Sequence, residues 1–211
     1  MTTAAPEEVF AALSSTLVVD LATRRAAEAA VESLSARPGF AAALVQLTLA
    51  PTLALEIRQL AAVLLKRFVR THWSDEAENF APPAVLADEK AAVRAALPAG
   101  LHDPVPRVRT AVGMVVAAIA AHDFPDEWPS LMGELLQPLE AVVQTAAPAD
   151  DSVAGVLRCL ELCVGELDEG QLLAALERLL PLLLALYGGA GQPPRVRARA
   201  VRVLHRLLAQ L

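Results

Sequence analysis

Cysteine is nearly absent. The 211 residues hold only Cys159 and Cys163, four apart in an apolar segment. So few thiols exclude a disulfide framework, and with no histidine near in sequence the pair lacks the further ligands of a zinc site. A buried structural pair in a reducing compartment is expected, since no signal-peptide pattern leads the chain. Aromatic residues make up only 4% and alanine is very frequent, which disfavours strands, since these want aromatic and β-branched side chains. Positive charge is also short: 24 acidic against 18 basic residues leave −6, so direct nucleic-acid binding through phosphates is not expected. Lysine is confined to Lys66 and Lys90, which reads as a compositional bias towards Ala, Arg and Pro. The most apolar run, Leu179 to Tyr187, contains Pro181 and is far below the roughly 20 residues of a membrane span, so no membrane insertion is expected.

Glycine-rich phosphate loops and nucleophile elbows are missing too. His72, His102, His122 and His205 are scattered, with no acid–base partners beyond the adjacent Asp103 and Asp123. Neighbouring positions diverge on a helix or loop, so these dipeptides carry little catalytic weight. An enzyme is not expected, and no catalytic residue, cofactor or metal is assigned.

What the chain does have is helical periodicity. In IRQLAAVLLKRFVRTHW, from Ile57 to Trp73, the residues Ile57, Leu60, Ala61, Leu64, Leu65 and Phe68 recur at i, i+3, i+4, i+7, i+8 and i+11. That spacing draws one apolar stripe along a helix, with Gln59, Lys66 and Arg70 opposite and Arg58 and Arg67 on the flanks. Further helices are predicted over residues 7–18, 21–36, about 39–49, about 84–97, from Pro106 to about 121, 128–144, about 152–166, about 169–187 and 194–211. Pro6 with Glu7 and Glu8 favours the first start, Asp20 caps the second helix, and Asp150 or Asp151 caps the one from about 152. The apolar or small positions of the second helix, Thr23, Ala26, Ala27, Ala30, Val31 and Leu34, reproduce the spacing of that stripe. Pro129 is tolerable in a first turn, and Pro138 is a site for a kink.

These helices repeat in pairs. PRVR recurs at Pro106 and Pro194, 88 positions apart, and superposing Ile57, Val108, Val153 and Val196 gives intervals of 51, 45 and 43 residues. A period of about 40–47 residues carrying two helices is the mark of HEAT-type solenoids. The fold class is therefore all-α, a right-handed HEAT-repeat α-solenoid of about five helix pairs. Chemistry on a solenoid sits on surfaces, so equivalent positions of the second helices matter. Arg24, Arg58, Arg109 and Arg197 share one flank. Either they tie neighbouring repeats together or they offer a contact face. The solvent stripe runs Arg25, Glu28 and Glu32 in the first repeat, then Gln59, Lys66 and Arg70, and turns small in the third, at Thr110, Gly113 and Ala117.

These residues also carry a resemblance. The pattern R..A...LK.....W, as Arg58, Ala62, Leu65, Lys66 and Trp73, resembles the N-terminal domain of the β-karyopherins, the importin-β family of nuclear transport receptors. Arg24, Ala27, Glu28 and Leu34 are similar to the R..AE.....L of the same domain, and Phe124, Pro125, Trp128, Pro129 and Leu131 resemble its P..WP.L segment. One departure is Arg67, where the family often has asparagine or glutamine.

The resemblance implies residues 1–106 as N-terminal-type, Ran-binding repeats and 107–211 as further repeats. It implies a receptor that moves through nuclear pores, contacts nucleoporins, shuttles between cytoplasm and nucleus, and is switched by Ran-GTP. Carried over by position, the Ran face is Arg24, Arg25, Glu28, Glu32, Arg58, Gln59, Lys66, Arg70, Arg107 and Arg109. One branch of the family carries basic cargo, including histones. Asp75, Glu76 and Glu78, and Asp123, Asp126 and Glu127, are the acidic loop residues expected to meet such cargo. A generic HEAT scaffold without Ran binding is the alternative. Because Leu211 falls inside an apolar helix with no capping glycine, a fragment or short form with a frayed last pair is expected.

Overall fold

The computed structural model describes residues 2–210 and places ten α-helices along them. They are α1 (Pro6–Thr16), α2 (Leu21–Ser35), α3 (Phe40–Leu49), α4 (Leu55–His72), α5 (Ala87–Ala96), α6 (Pro106–Asp123), α7 (Leu131–Thr145), α8 (Asp151–Val164), α9 (Glu169–Gly188) and α10 (Pro194–Leu208). A 3-10 turn over Leu97–His102 follows α5. Among the described residues there is no strand. The all-α HEAT fold expected from the repeat is thus the fold adopted. Leu211, included in the last predicted helix, lies outside the described residues.

Local chemistry sets the helix starts. The Asp20 carboxylate accepts from the Thr23 N–H at 2.7 Å, and Asp150 accepts from Ser152 and Val153 at 2.9 and 3.1 Å, satisfying donors that have no intrahelical partner. Proline occupies the first position of α1, α6 and α10, where its missing N–H costs nothing.

Two predicted starts move for reasons of tertiary bonding. The Ala81 and Val85 N–H groups donate to the carbonyls of Thr71 and His72, and Val85 is buried. This extended return along α4 delays α5 to Ala87. The N–H groups of Glu127 and Trp128 both donate to the Asp123 carbonyl at 2.8 Å, and Trp128 is buried. That turn leaves Pro129 ahead of α7 rather than in its first turn.

The chain divides into two compact units, residues 1–100 and 101–211. In the first, α1 packs on α2 and α3, and α3 packs on α4 and α5. Leu13, Leu44, Leu65 and Trp73 form the fully buried centre. The α2 expectation fails in part: Ala27 and Leu34 are buried, whereas Thr23, Ala26 and Ala30 are exposed along an open groove against α1. Side chains this small do not fill the space between the two helices.

In the second unit one layer runs α6, α8 and α10, and the other pairs α7 with α9. Ile119, Leu131, Leu136 and Leu157 lie fully buried in it. The small stripe of α6 was expected to face solvent, yet Gly113 and Ala117 are buried and Thr110 is half-buried. A Cβ on Gly113 would stand 3.4 Å from the Cys159 Cα, so the missing side chain lets α6 and α8 approach closely. Cys159 and Cys163 are both buried with their sulfurs 3.9 Å apart. Their hydrogen bond and the burial push the Cys159 thiol well up from its ordinary pKa, and an unionised thiol is an inert one. No helix among the described residues is long and apolar enough to cross a membrane.

Candidate protein-binding surface

The recurring flank arginine separates into two kinds. Arg58, only 3% exposed, donates from Nε to the Thr48 carbonyl at 2.9 Å. Arg109, 8% exposed, donates from Nη1 to the carbonyls of Asp103 and Pro104 at 2.6 and 3.1 Å. Arg197 donates from Nε to the Tyr187 carbonyl at 2.9 Å, with its guanidinium 5.8 Å from that ring. Each arginine reaches back to a carbonyl near the end of the segment that precedes its own helix. The Thr48 and Tyr187 carbonyls lie in the last turns of α3 and α9, at the negative end of a helix dipole, so a guanidinium is their natural partner, whereas the Asp103 and Pro104 carbonyls belong to the loop ahead of α6. Arg24, by contrast, is exposed on α2.

The alternatives left open by the sequence are therefore decided residue by residue. Arg58 ties α4 to α3 and Arg109 pins the loop ahead of α6, and both are buried rather than on the candidate contact face. Asp123 leaves the acidic loop for a similar reason: it is 5% exposed, at the turn that seats Trp128.

What remains at the surface of the first unit lies on α2 and α4. Arg24, Arg25, Glu28 and Glu32 are exposed along α2. On α4, Glu56, Val63, Arg67 and Arg70 are exposed and Gln59 and Lys66 half-buried, spaced as a single stripe. The buried side is centred on Ile57, Arg58, Ala61, Ala62, Leu65, Phe68 and Val69, while Leu60 and Leu64 are half-buried. That slight rotation moves Arg67 from the flank onto the solvent stripe. It also sets Val63, 61% exposed, in the middle of the stripe. Sequence reasoning passed over Val63, although its place four after Gln59 and three before Lys66 puts it on their face.

The supporting contacts hold α4 firmly. Phe68 stacks on His72 at 4.4 Å and meets Phe40 edge-on at 5.2 Å. The Lys90 ammonium stands 5.6 Å from the Trp73 ring. Glu89 of α5 caps α3 from a distance, accepting from the Gly39 and Ala42 N–H groups at 2.7 and 3.1 Å. Lys66, Arg67 and Arg70 thus form a basic strip in the C-terminal half of a fixed helix, where cations are favoured. Asp75, Glu76 and Glu78 are exposed just beyond it.

In the second unit, Arg107 is exposed at the start of α6, and Asp126 and Glu127 are exposed after it. Among the described residues no cluster of three His, Cys, Asp or Glu is placed to hold a metal ion. The arrangement is a set of charged helix faces suited to another protein's surface.

Residues 27–103, from within α2 to just past the 3-10 turn, match the family described as Importin-beta N-terminal domain. The chain is 27% identical over 158 residues to Importin-9 of Drosophila melanogaster, covering 74% of this chain and 15% of that protein. Its fold matches yeast importin-beta, Kap95p, with a TM-score of 0.82 at 22% identity, over 98% of this chain and 24% of the other. It also matches, at a TM-score of 0.76 and 21% identity over 97% of this chain and 24% of the other, the Kap95p whose binding induces the switch loops of RanGDP to adopt the GTP-bound conformation. The chain therefore spans about a seventh of the Drosophila importin and a quarter of Kap95p.

Proposed function

We infer that the chain is a member of the importin-β family, whose N-terminal domain matches residues 27–103. It takes part in protein import into the nucleus through the nuclear pore, binding Ran in its GTP form through the solvent faces of α2 and α4. The observation that carries this reading is the basic strip of Lys66 and Arg70, joined by Arg67 and Val63. These side chains project from a helix inside the matched domain whose other side is wholly committed to the core. Arg24, Arg25, Glu28 and Glu32 of α2 and Gln59 of α4 extend the candidate face, and in the second unit, taken by itself, Arg107 is a separate candidate.

Function follows from linkage. If Ran-GTP and cargo bind different states of the receptor, each lowers the other's affinity by the same factor, so Ran-GTP in the nucleus releases import cargo. Nucleoporins are the partners during passage. Basic cargo, histones among them, meets the exposed carboxylates of Asp75, Glu76 and Glu78, and of Asp126 and Glu127. The same traffic sets the location, shuttling between cytoplasm and nucleus.

The test is a titration of the purified chain with Ran loaded with a non-hydrolysable GTP analogue, with Ran-GDP as control. Saturable binding of the GTP form alone supports the reading. Binding of neither form, with another partner captured stably, would assign the chain to the scaffold class instead.

A further inference from the structure

Five arginines and no acid lie in α10, PRVRARAVRVLHRLL, although the chain as a whole carries −6. Arg195, Arg199, Arg202 and Arg206 recur at i, i+4, i+7 and i+11. At about 100° per residue these four fall within about 60° of arc, so they form one comb along the helix. The buried stripe of Val196, Ala200, Val203 and Leu207 runs directly beside it.

Two residues of the comb pair with carboxylates of α8. Arg195 pairs with Asp151, and Arg199 donates from Nη1 to Glu161 at 3.1 Å. Glu161 is shared with Arg158 at 2.9 Å, and Asp151 lies 3.8 Å from Arg109. Arg202 and Arg206 are exposed, and among the described residues no carboxylate pairs with either. Gly165 makes room for one of them: a Cβ there would stand 2.8 Å from the Arg206 Nε.

We propose that this comb is a docking surface for an acidic peptide segment of a partner protein, with Arg202 and Arg206 as its recognition residues. Two teeth of the comb already hold carboxylates within the fold. A guanidinium presents its N–H groups in a planar fork that matches a carboxylate, so the exposed Arg202 and Arg206, the latter laid against Gly165, offer the same chemistry to a partner. At 1.5 Å per residue the comb spans about 16 Å, the reach of roughly five residues of extended chain. Continuous phosphate charge is the poorer match, because the chain's overall negative charge repels a long polyanion. This surface lies in the second unit and stands apart from the Ran reading, which rests on α2 and α4.

The experiment is fluorescence anisotropy on the full chain, titrated into a labelled ten-residue peptide of alternating Glu and Ala, with a Gln-for-Glu peptide as control. The expected result is saturable binding of the acidic peptide alone, weakened by salt as an exposed charge contact must be. Arg202→Ala with Arg206→Ala should weaken it at least about tenfold without lowering the melting temperature, whereas Arg24→Ala should leave it unchanged. The proposal is overturned by no binding, by equal binding of the two peptides, by a double variant that binds as the unaltered chain does, or by tighter binding of a single-stranded oligonucleotide of equal charge.

Discussion

Replacing Arg58 by methionine separates the structural arginines from the contact arginines. The change keeps an unbranched apolar stem in the space that the guanidinium stem occupies and removes only the charged fork. The Thr48 carbonyl then loses its donor in a site where the arginine is 3% exposed. An unsatisfied buried acceptor costs about 1–3 kcal/mol, and part of that is offset because a buried charge no longer has to be kept from water. A net loss of about 2 kcal/mol follows. For a chain of this length the melting temperature moves by about 2–4 °C per kcal/mol, so a fall of about 6 °C is expected by calorimetry or circular dichroism. Ran-GTP affinity, measured well below the melting range, should be unchanged, because Arg58 does not reach the surface. Lys66→Glu with Arg70→Glu should do the reverse, removing Ran binding while stability moves by no more than about 1 kcal/mol. An unaltered melting temperature for Arg58→Met, or loss of Ran binding by that variant while folded, would refute the division.

Three further outcomes test the packing. Gly155→Ala should destabilise by about 2–3 kcal/mol, because the new Cβ would meet the Leu101 carbonyl at 2.6 Å and the Arg109 Cδ at 2.8 Å; a melting temperature at or above the original refutes this. Glu89→Ala should cost about 1–2 kcal/mol by stripping α3 of its two capping bonds, with hydrogen exchange rising first at Gly39 and Ala42. Asp150→Ala should cost about 1 kcal/mol near neutral pH. The Ser152 hydroxyl bond, outweighing partial burial and helped by the Val153 and Ser152 N–H groups, lowers the Asp150 pKa. Its contribution is therefore full above the ordinary carboxylate range and fades as pH falls through the lowered value. Guanidinium titrations at several pH values should show the gap between the original chain and Asp150→Ala closing in acid.

Several elements were legible because their causes are local. Asp20 and Asp150 carry the acceptor oxygen that a helix start needs, and proline before RVRT or RVRAR sits where its lost N–H does no harm. The α4 periodicity put Lys66 and Arg70 on the face away from the core, where Lys66 is half-buried and Arg70 exposed. The failures are equally physical. Thr23, Ala26 and Ala30 follow the apolar spacing but are too small to fill the groove beside α1. Gly113 and Ala117 look like a bland surface by residue type and are instead buried, Gly113 against Cys159 of α8.

By itself, then, the sequence determined the all-α class, the paired repeat and most helix limits, because periodicity, capping and proline act within a few residues. Its motifs also resembled the family whose N-terminal domain matches residues 27–103. Tertiary structure alone decided which arginines serve the fold. Arg24 and Arg58 occupy the same place in the repeat and read alike in the sequence. Only Arg58 lies within reach of a carbonyl left open by the helix before its own, and that reach of 2.9 Å spans ten residues of chain. The Glu89 cap on α3 arose in the same way, since it depends on a backbone N–H brought near from 50 residues away.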